Sequence, residues 1–306
     1  MGTGLIAVDI PVGRLAIAVT CAVVAAFSYA LSNVLQQHEA EQIAESETLK
    51  LGLLAKLAHR PRWLFGMGAD VGGYVFEAIA LGTGTLVLVE PILATSLLLS
   101  LFLGAMINHR NISRAGWAAA AVLAAGVSVF LMVVAPTQGT ELAPNHSWLV
   151  AAPLIVGFVL ICVAVARAAT ESARAAWLGL AAGTLFGVSA VLTKAFVHYL
   201  GGGITNWIPH WEPYALAVCS ITGLVLSQSA FQTGSLAAAV GAEQVMQPLT
   251  GVALGVGLLD EHLGISSAIR TFTLLVALLA MLWGVLALAR VEHETLSLQP
   301  PALADG

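Results

Sequence analysis

Four acidic residues stand inside long apolar runs of this chain: Asp70, Glu77, Glu90 and Glu243. An ionisable group at the centre of a bilayer costs about 2.5 kcal/mol or more, so each needs a reason. Asp70 and Glu77 are two helical turns apart and share a face with Gly66 and Gly73. Small residues on that face allow close backbone approach or leave room for a ligand. Glu77 and Glu90 flank the tight Gly82-Thr83-Gly84 turn at similar depth, placed to face each other across a hairpin. Carboxylates that close can share and relay a proton, or ligate a cation together. The plainer role for both is to snorkel to the outer interface or to hydrogen-bond a neighbouring helix.

Pro91 and Pro248 each remove a helix hydrogen bond and free the carbonyl four residues earlier, at Val87 and Gln244. Glu90 sits beside the first; Glu243, Gln244 and Gln247 crowd the second. Freed carbonyls, amides and carboxylates make a polar cradle for a substrate or ion, although membrane prolines also serve as simple kinks. Lys194 reaches the outer interface on its long stem or pairs with Glu77 or Glu90. Gln228, Gln232 and Asn33 read as interhelical hydrogen-bonding groups, and Gly179, Gly183 and Gly187 as a small-residue stripe for close packing. No metal can be named from these donors.

The elements that must hold these residues are membrane spans. Of the 306 residues 58% are hydrophobic and 9% charged, and mean hydropathy is +0.90. A soluble domain carries roughly 25% charged residues. A span needs about 20 apolar residues. Such runs are Leu15–Leu35, Trp63–Leu81, Leu86–Ile107, Ala115–Ala135, Trp148–Ala166, Ala175–Val197, Tyr214–Phe231, Leu236–Leu259 and Ala268–Ala289. They are continuous and exceed the roughly ten residues of a barrel strand. The first, of about 21 residues, is longer than a signal-peptide core of roughly 7–15 and reads as a retained helix.

Between the first two runs, residues 38–62 open acidic and then space Leu49, Leu53, Leu54 and Leu57 at helical intervals among Lys and Arg. That pattern predicts an amphipathic helix on the membrane surface, ended by Pro61. Residues 291–306 read as a polar, disordered tail. With about nine spans and the N-terminus outside, nine Lys and Arg residues face the cytoplasm and two the outside, Lys194 being within a span. This is the positive-inside bias of a multi-pass inner (plasma) membrane protein. No basic tract exists for nucleic acid. Cys21, Cys162 and Cys219 lie in apolar runs with no metal-ligand spacing.

An offset of 157 carries Ser32, Val34 and Leu35 onto Ser189, Val191 and Leu192, and Glu90-Pro91 onto Gln247-Pro248. The chain then divides into an N-terminal segment (1–14), a first four-span repeat (15–135), a linker with one span (136–173), a second repeat (174–290) and the tail. One linker span inverts the second repeat relative to the first. Inverted repeats with interrupted helices at matching positions mark transporters, whose site lies where the repeats meet. The fold expected is all-α and integral to the membrane: two inverted four-helix repeats, a linker helix and one interfacial amphipathic helix.

The stretch Ala80-Leu81, the tight turn and Leu86-Val87-Leu88-Val89-Glu90-Pro91-Ile92-Leu93-Ala94 resembles the third and fourth helices of the drug/metabolite transporter superfamily, in its EamA-like branch. Gly187–Lys194 and Leu259-Asp260-Glu261-His262-Leu263 are similar to the same family. The resemblance implies alternating access for small metabolites. Nine spans and Leu88-Val89-Glu90-Pro91 are also similar to NIPA-type magnesium transporters, except that Gly73-Tyr74 stands where that branch has Gly-Glu. The glutamate that small multidrug-resistance proteins place in their first helix has no counterpart in Leu15–Leu35.

The function expected is secondary active transport of a small metabolite or ion, driven by a gradient because no nucleotide-binding glycine loop exists. A magnesium or other divalent cation transporter is the alternative. A membrane enzyme and a non-transporting scaffold come further behind. Gly187-Val188-Ser189-Ala190 resembles the rhomboid-protease nucleophile, but no later histidine sits clearly within a span except His198, near its edge. The expectation is therefore no enzyme and no cofactor. Partners are the substrate and the bilayer, and homo-oligomers are compatible with it.

Overall fold

The structure, a computed structural model, describes residues 12–43, 48–83, 89, 92–108, 112–134, 142–201, 203, 205–260 and 267–297. Glu90, Pro91 and the Gly84–Leu88 stretch that carries much of the family resemblance lie outside them.

Among the described residues ten helices follow one another: α1 (Val12–Ala40), α2 (Leu51–Leu57), α3 (Pro61–Thr83), α4 (Ser96–Asn108), α5 (Arg114–Val134), α6 (Asn145–Ala168), α7 (Glu171–Gly201), α8 (Glu212–Phe231), α9 (Leu236–Leu258) and α10 (Ala268–Ser297). Eight of the nine apolar runs fall on one helix each, whereas of Leu86–Ile107 the described part ends in α4, which begins at Ser96. Six of the ten, α1, α5, α6, α7, α8 and α10, contain segments long and apolar enough to cross a membrane. This is a multi-pass helical membrane protein. α3 and α9 have the length, 23 residues each, but do not join the six. They are the helices bearing Asp70, Glu77 and Glu243.

Helix direction can be read from the glycines. On α7, a Cβ on Gly183 would lie 2.6 Å from the Glu243 carbonyl, and one on Gly187 would lie 2.6 Å from that of Gln247; Gly179 meets the Ala239 carbonyl more closely still. Both sets of numbers rise together, so α7 and α9 run parallel, in the most extensive helix pairing of the molecule. The stripe of glycines thus packs backbone against backbone, the structural role read from the sequence. On α5 and α10 the numbers run oppositely: Gly126 meets Met281, and Gly284 meets Leu123. Those two helices are antiparallel. So are α1 and α3, where Gly66 lies under Gln36 and Gly73 under Tyr29.

α1 packs on α3 and α4, while α7 packs on α8 and α9; α4 touches α5 as α9 touches α10. α4 with α9 and α5 with α10 join the two sets. α6 packs mainly on α7 and leaves Leu149, Leu154, Leu160 and Ile161 exposed.

Two expectations need correction. Residues 38–62 do not form one surface helix. α1 runs on through Ala40, α2 has only seven residues, and Pro61 opens α3 instead of ending a helix. Leu53 and Leu57 are fully buried, and α2 packs on α8. A leucine stripe at helical spacing serves a protein groove as well as a lipid surface, and here it found the groove. Residues 291–297, read as part of a disordered polar tail, continue α10 instead, with Val291 packed near Gly116, while the rest of that tail lies outside the described residues.

Candidate functional site

α1 presents Tyr29, Ser32 and Gln36 at helical spacing, and each side chain reaches another helix or a neighbour on α1. The Tyr29 hydroxyl donates to Glu77 Oε2 on α3. Ser32 lies within electrostatic reach of Asp70, two turns before Glu77 on α3, and Ser32 Oγ accepts from Gln36 Nε2 at 2.7 Å. The glycine face of α3 makes this proximity possible: a Cβ on Gly73 would stand 2.8 Å from the Tyr29 ring.

From Gln36 the bonds continue to α8. Gln228 Nε2 donates to Gln36 Oε1 at 2.5 Å, and Gln228 Oε1 accepts from Trp63 Nε1 at 3.0 Å. Gln228 and Ser32 have no solvent exposure, and Gln36 has 5%. Three helices are therefore cross-linked by one buried amide, whose donor and acceptor are both engaged.

Glu243 enters from α9. Ser227 Oγ donates to its Oε2 at 2.9 Å. Asp70 lies within electrostatic reach of both Glu77 and Glu243. Beside Glu243, Gln244 Nε2 donates to Ser96 Oγ of α4 at 3.1 Å, and Asn33 of α1 donates to Ser100 Oγ at 3.3 Å. The result is a polar seam, walled by α1, α3, α4, α8 and α9, inside an otherwise apolar bundle.

The seam brings together Asp70, Glu77, Glu243 and Gln244 from the sequence expectations. Gln247 does not join it: its side chain is exposed, although it is one turn from Glu243. Lys194 is exposed on α7, and the partner described for Glu77 is Tyr29. Pro248, read from the sequence as a helix break, lies inside α9, which runs on past it to Leu258. Glu90 and Pro91 fall outside the described residues. Gln228 and Asn33 make the interhelical bonds read for them; Gln232 also bonds across the fold, accepting from Thr48 at 2.9 Å. Ser189 Oγ accepts from Ser220 at 3.2 Å, so the hydroxyl of the rhomboid-like stretch meets another serine.

Tyr29, Ser32 and Ser227 escaped the sequence reading. Hydroxyl side chains are tolerated in a span and raise no alarm by cost. The signal that would have found the first two was the spacing of Tyr29, Ser32 and Gln36 on one face of α1.

Chemically, the seam offers three carboxyl groups, each with a hydroxyl partner. Such a set can bind a cationic group or take up and release protons. Among the described residues no group of three or more His, Cys, Asp or Glu side chains is arranged to hold a metal ion.

No family model matches the chain, and no solved structure matches it. It is similar to an uncharacterized protein of Corynebacterium glutamicum, with 29% identity over 279 residues, covering 90% of this chain and 96% of that protein.

Proposed function

We propose that this protein is a gradient-driven secondary transporter that moves a small metabolite or ion by alternating access. The observation that carries the reading is the seam. Asp70 and Glu77 on α3 and Glu243 on α9 come from different halves of the chain, yet lie within electrostatic reach of one another through Asp70. Asp70, Glu77 and Glu243 are each half-buried, and acids set among apolar helices are costly and mark substrate, ion or proton paths.

The helix directions support two inverted halves. α1, α3, α4 and α5 would form one half and α7, α8, α9 and α10 the other, with α6 as linker. The antiparallel α5–α10 pair and the parallel α7–α9 pair both suit serial crossings of alternating sense. A site where the halves meet is then at the expected place for such a transporter. Membership of the drug/metabolite transporter superfamily fits this arrangement and is part of the proposal. So is a plasma-membrane location with the C-terminus in the cytoplasm.

The test is transport by the full-length protein in proteoliposomes, with metabolites, amines and divalent cations as substrates under an imposed pH gradient. Asp70→Asn and Glu243→Gln are each expected to abolish pH-driven uptake while leaving expression and thermal unfolding close to wild type. If a divalent cation is carried instead, the same changes weaken its binding with little dependence on the proton gradient. Wild-type transport by both variants would remove the acids from the mechanism.

A further inference from the structure

Three polar side chains at the C-terminal end of α8 reach out of their own helix. Gln228 bonds Gln36 of α1 and Trp63 of α3. Ser229 Oγ accepts from the Leu49 backbone N–H at 3.0 Å. Gln232 accepts from Thr48 and donates through Nε2 to the Ile43 carbonyl at 3.3 Å. All these partners lie at one end of the bundle, where α1 gives way to α2 and α3. Among the described residues no hydrogen bond joins α1 or α3 to residues 212–224, the rest of α8. Leu49 holds φ 62°, a left-handed conformation that leucine rarely adopts, so Ser229 secures a strained turn.

Burial along the seam has the same polarity. Val225–Phe231 of α8 and Leu236–Ala242 of α9 are buried at every position, so both helices are covered on all faces there. Ser32, Gln36 and Gln228 are closed off from solvent with them. Further from this end, Asp70 and Glu77 are only half-buried. A carboxyl group inside a span keeps its exposure where water enters, since exposure to hydrocarbon is costly. The seam is thus shut where α8 ends and reached from the side of Glu77.

We propose that Gln228, Ser229 and Gln232 form a clasp that closes this end of the path, and that it must release α1, α2 and α3 before the seam opens there. The inference rests on the transport reading and assigns that path its closed end. Neutral hydrogen bonds suit the task. Each is worth only about 1 kcal/mol net, because water replaces the lost partner when the end opens.

The experiment follows labelling by a membrane-impermeant maleimide in right-side-out and inside-out vesicles, with Cys162 and Cys219 replaced by alanine. Cys21, half-buried on α1 beyond Tyr29, then reports on the Glu77 end. Ser100→Cys, with Cys21→Ala added, reports on the clasp end, because Ser100 is fully buried and bonded to Asn33, three residues before Gln36. With the clasp intact, Ser100→Cys is expected to label slowly from both sides. Gln228→Ala, and separately the milder pair Ser229→Ala with Gln232→Ala, are expected to speed it about tenfold from one side only. Labelling of Cys21 from the opposite side is expected to slow in step, since opening one end draws the population from the other state. The milder pair carries the test if Gln228→Ala fails to fold. Faster labelling of both reporters would make these bonds plain stabilisers and overturn the proposal, as would unchanged labelling of Ser100→Cys in the milder pair. The labelling needs no substrate. The expected pattern without any uptake in proteoliposomes would sink the transport reading and leave the clasp, whereas uptake that depends on Asp70 without the pattern would sink the clasp alone.

Discussion

Gln228 shows how much one residue holds together. Its amide is the sole described partner of the Trp63 indole and of Gln36 Oε1. Replacing it with leucine keeps the volume but orphans a donor and an acceptor in a water-free place. A buried group left unsatisfied costs about 1–3 kcal/mol. Gln228→Leu is therefore expected to lower the unfolding midpoint in detergent clearly, whereas Gln232→Leu, whose partners are part-buried, lowers it less. Near the C-terminal end of α7, Tyr199 donates to Glu212 at 3.0 Å, and both residues are buried. Burial first, and then the Glu212 contact, push the Tyr199 hydroxyl up to about 12 from its ordinary value of 10.0. A raised pKa means the folded state favours the protonated form. That contribution is intact below pH 10.0 and is lost as pH climbs through about 12. Tyr199→Phe should thus unfold with a shallower pH dependence in that window than wild type, and an unchanged profile would show the pair to be inert.

At the scale of the helix, the glycines of α7 make a sharp comparison. A methyl at Gly183 would intrude to 2.6 Å on the Glu243 carbonyl, while one at Gly157 of α6 meets nothing within 4 Å. Overpacking of that kind costs about 1–3 kcal/mol. Gly183→Ala is expected to destabilise the protein by this order and to disturb Glu243, whereas Gly157→Ala is neutral or slightly stabilising, as paired thermal melts would show. Much at this scale was legible. Continuous apolar runs have few options but helix, and among the described residues they are helical almost throughout. The Gly179–Gly187 stripe announced close packing because nothing else explains glycine at every fourth position. The fate of Leu53 and Leu57 was not legible, since helical spacing records an apolar face but not which apolar partner meets it. The acids could be flagged by their cost alone. Their hydroxyl partners could not, because Tyr29, Ser32 and Ser227 cost little in a span. Gln247 misled because helical periodicity gives a face to within a wide arc, and α9 turns that arc away from the seam.

For the whole molecule, the decisive quantity is the sense of each crossing. Lys and Arg crowd the loops after the first, third, fifth and last runs, which predicts that Ala44, Asn111 and Val291 share one side, the cytoplasm. Reporter fusions at those three positions should all give cytoplasmic signals. A fusion at Val291 reporting from the opposite side to Asn111 would break the odd number of crossings, and with it the inversion of the halves. Composition alone identified the membrane, because a chain with 9% charged residues cannot clothe itself against water. The pairing of halves was harder to see, because only three matched residues and a proline hint at it in the sequence.

The row of glycines against carbonyls also limits how α9 can travel along α7. Both sets recur every four residues, at Gly179, Gly183 and Gly187 and at Ala239, Glu243 and Gln247. A slide of half a turn would drive side chains into the backbone contacts that only glycine permits. A slide of four residues, about 6 Å, would reseat them. The seam between these helices therefore behaves as a detent, with discrete stops and no easy resting place between them. Any motion that carries Glu243 from one side of the bundle towards the other must then either click by a whole turn or tip the two helices together as one lever.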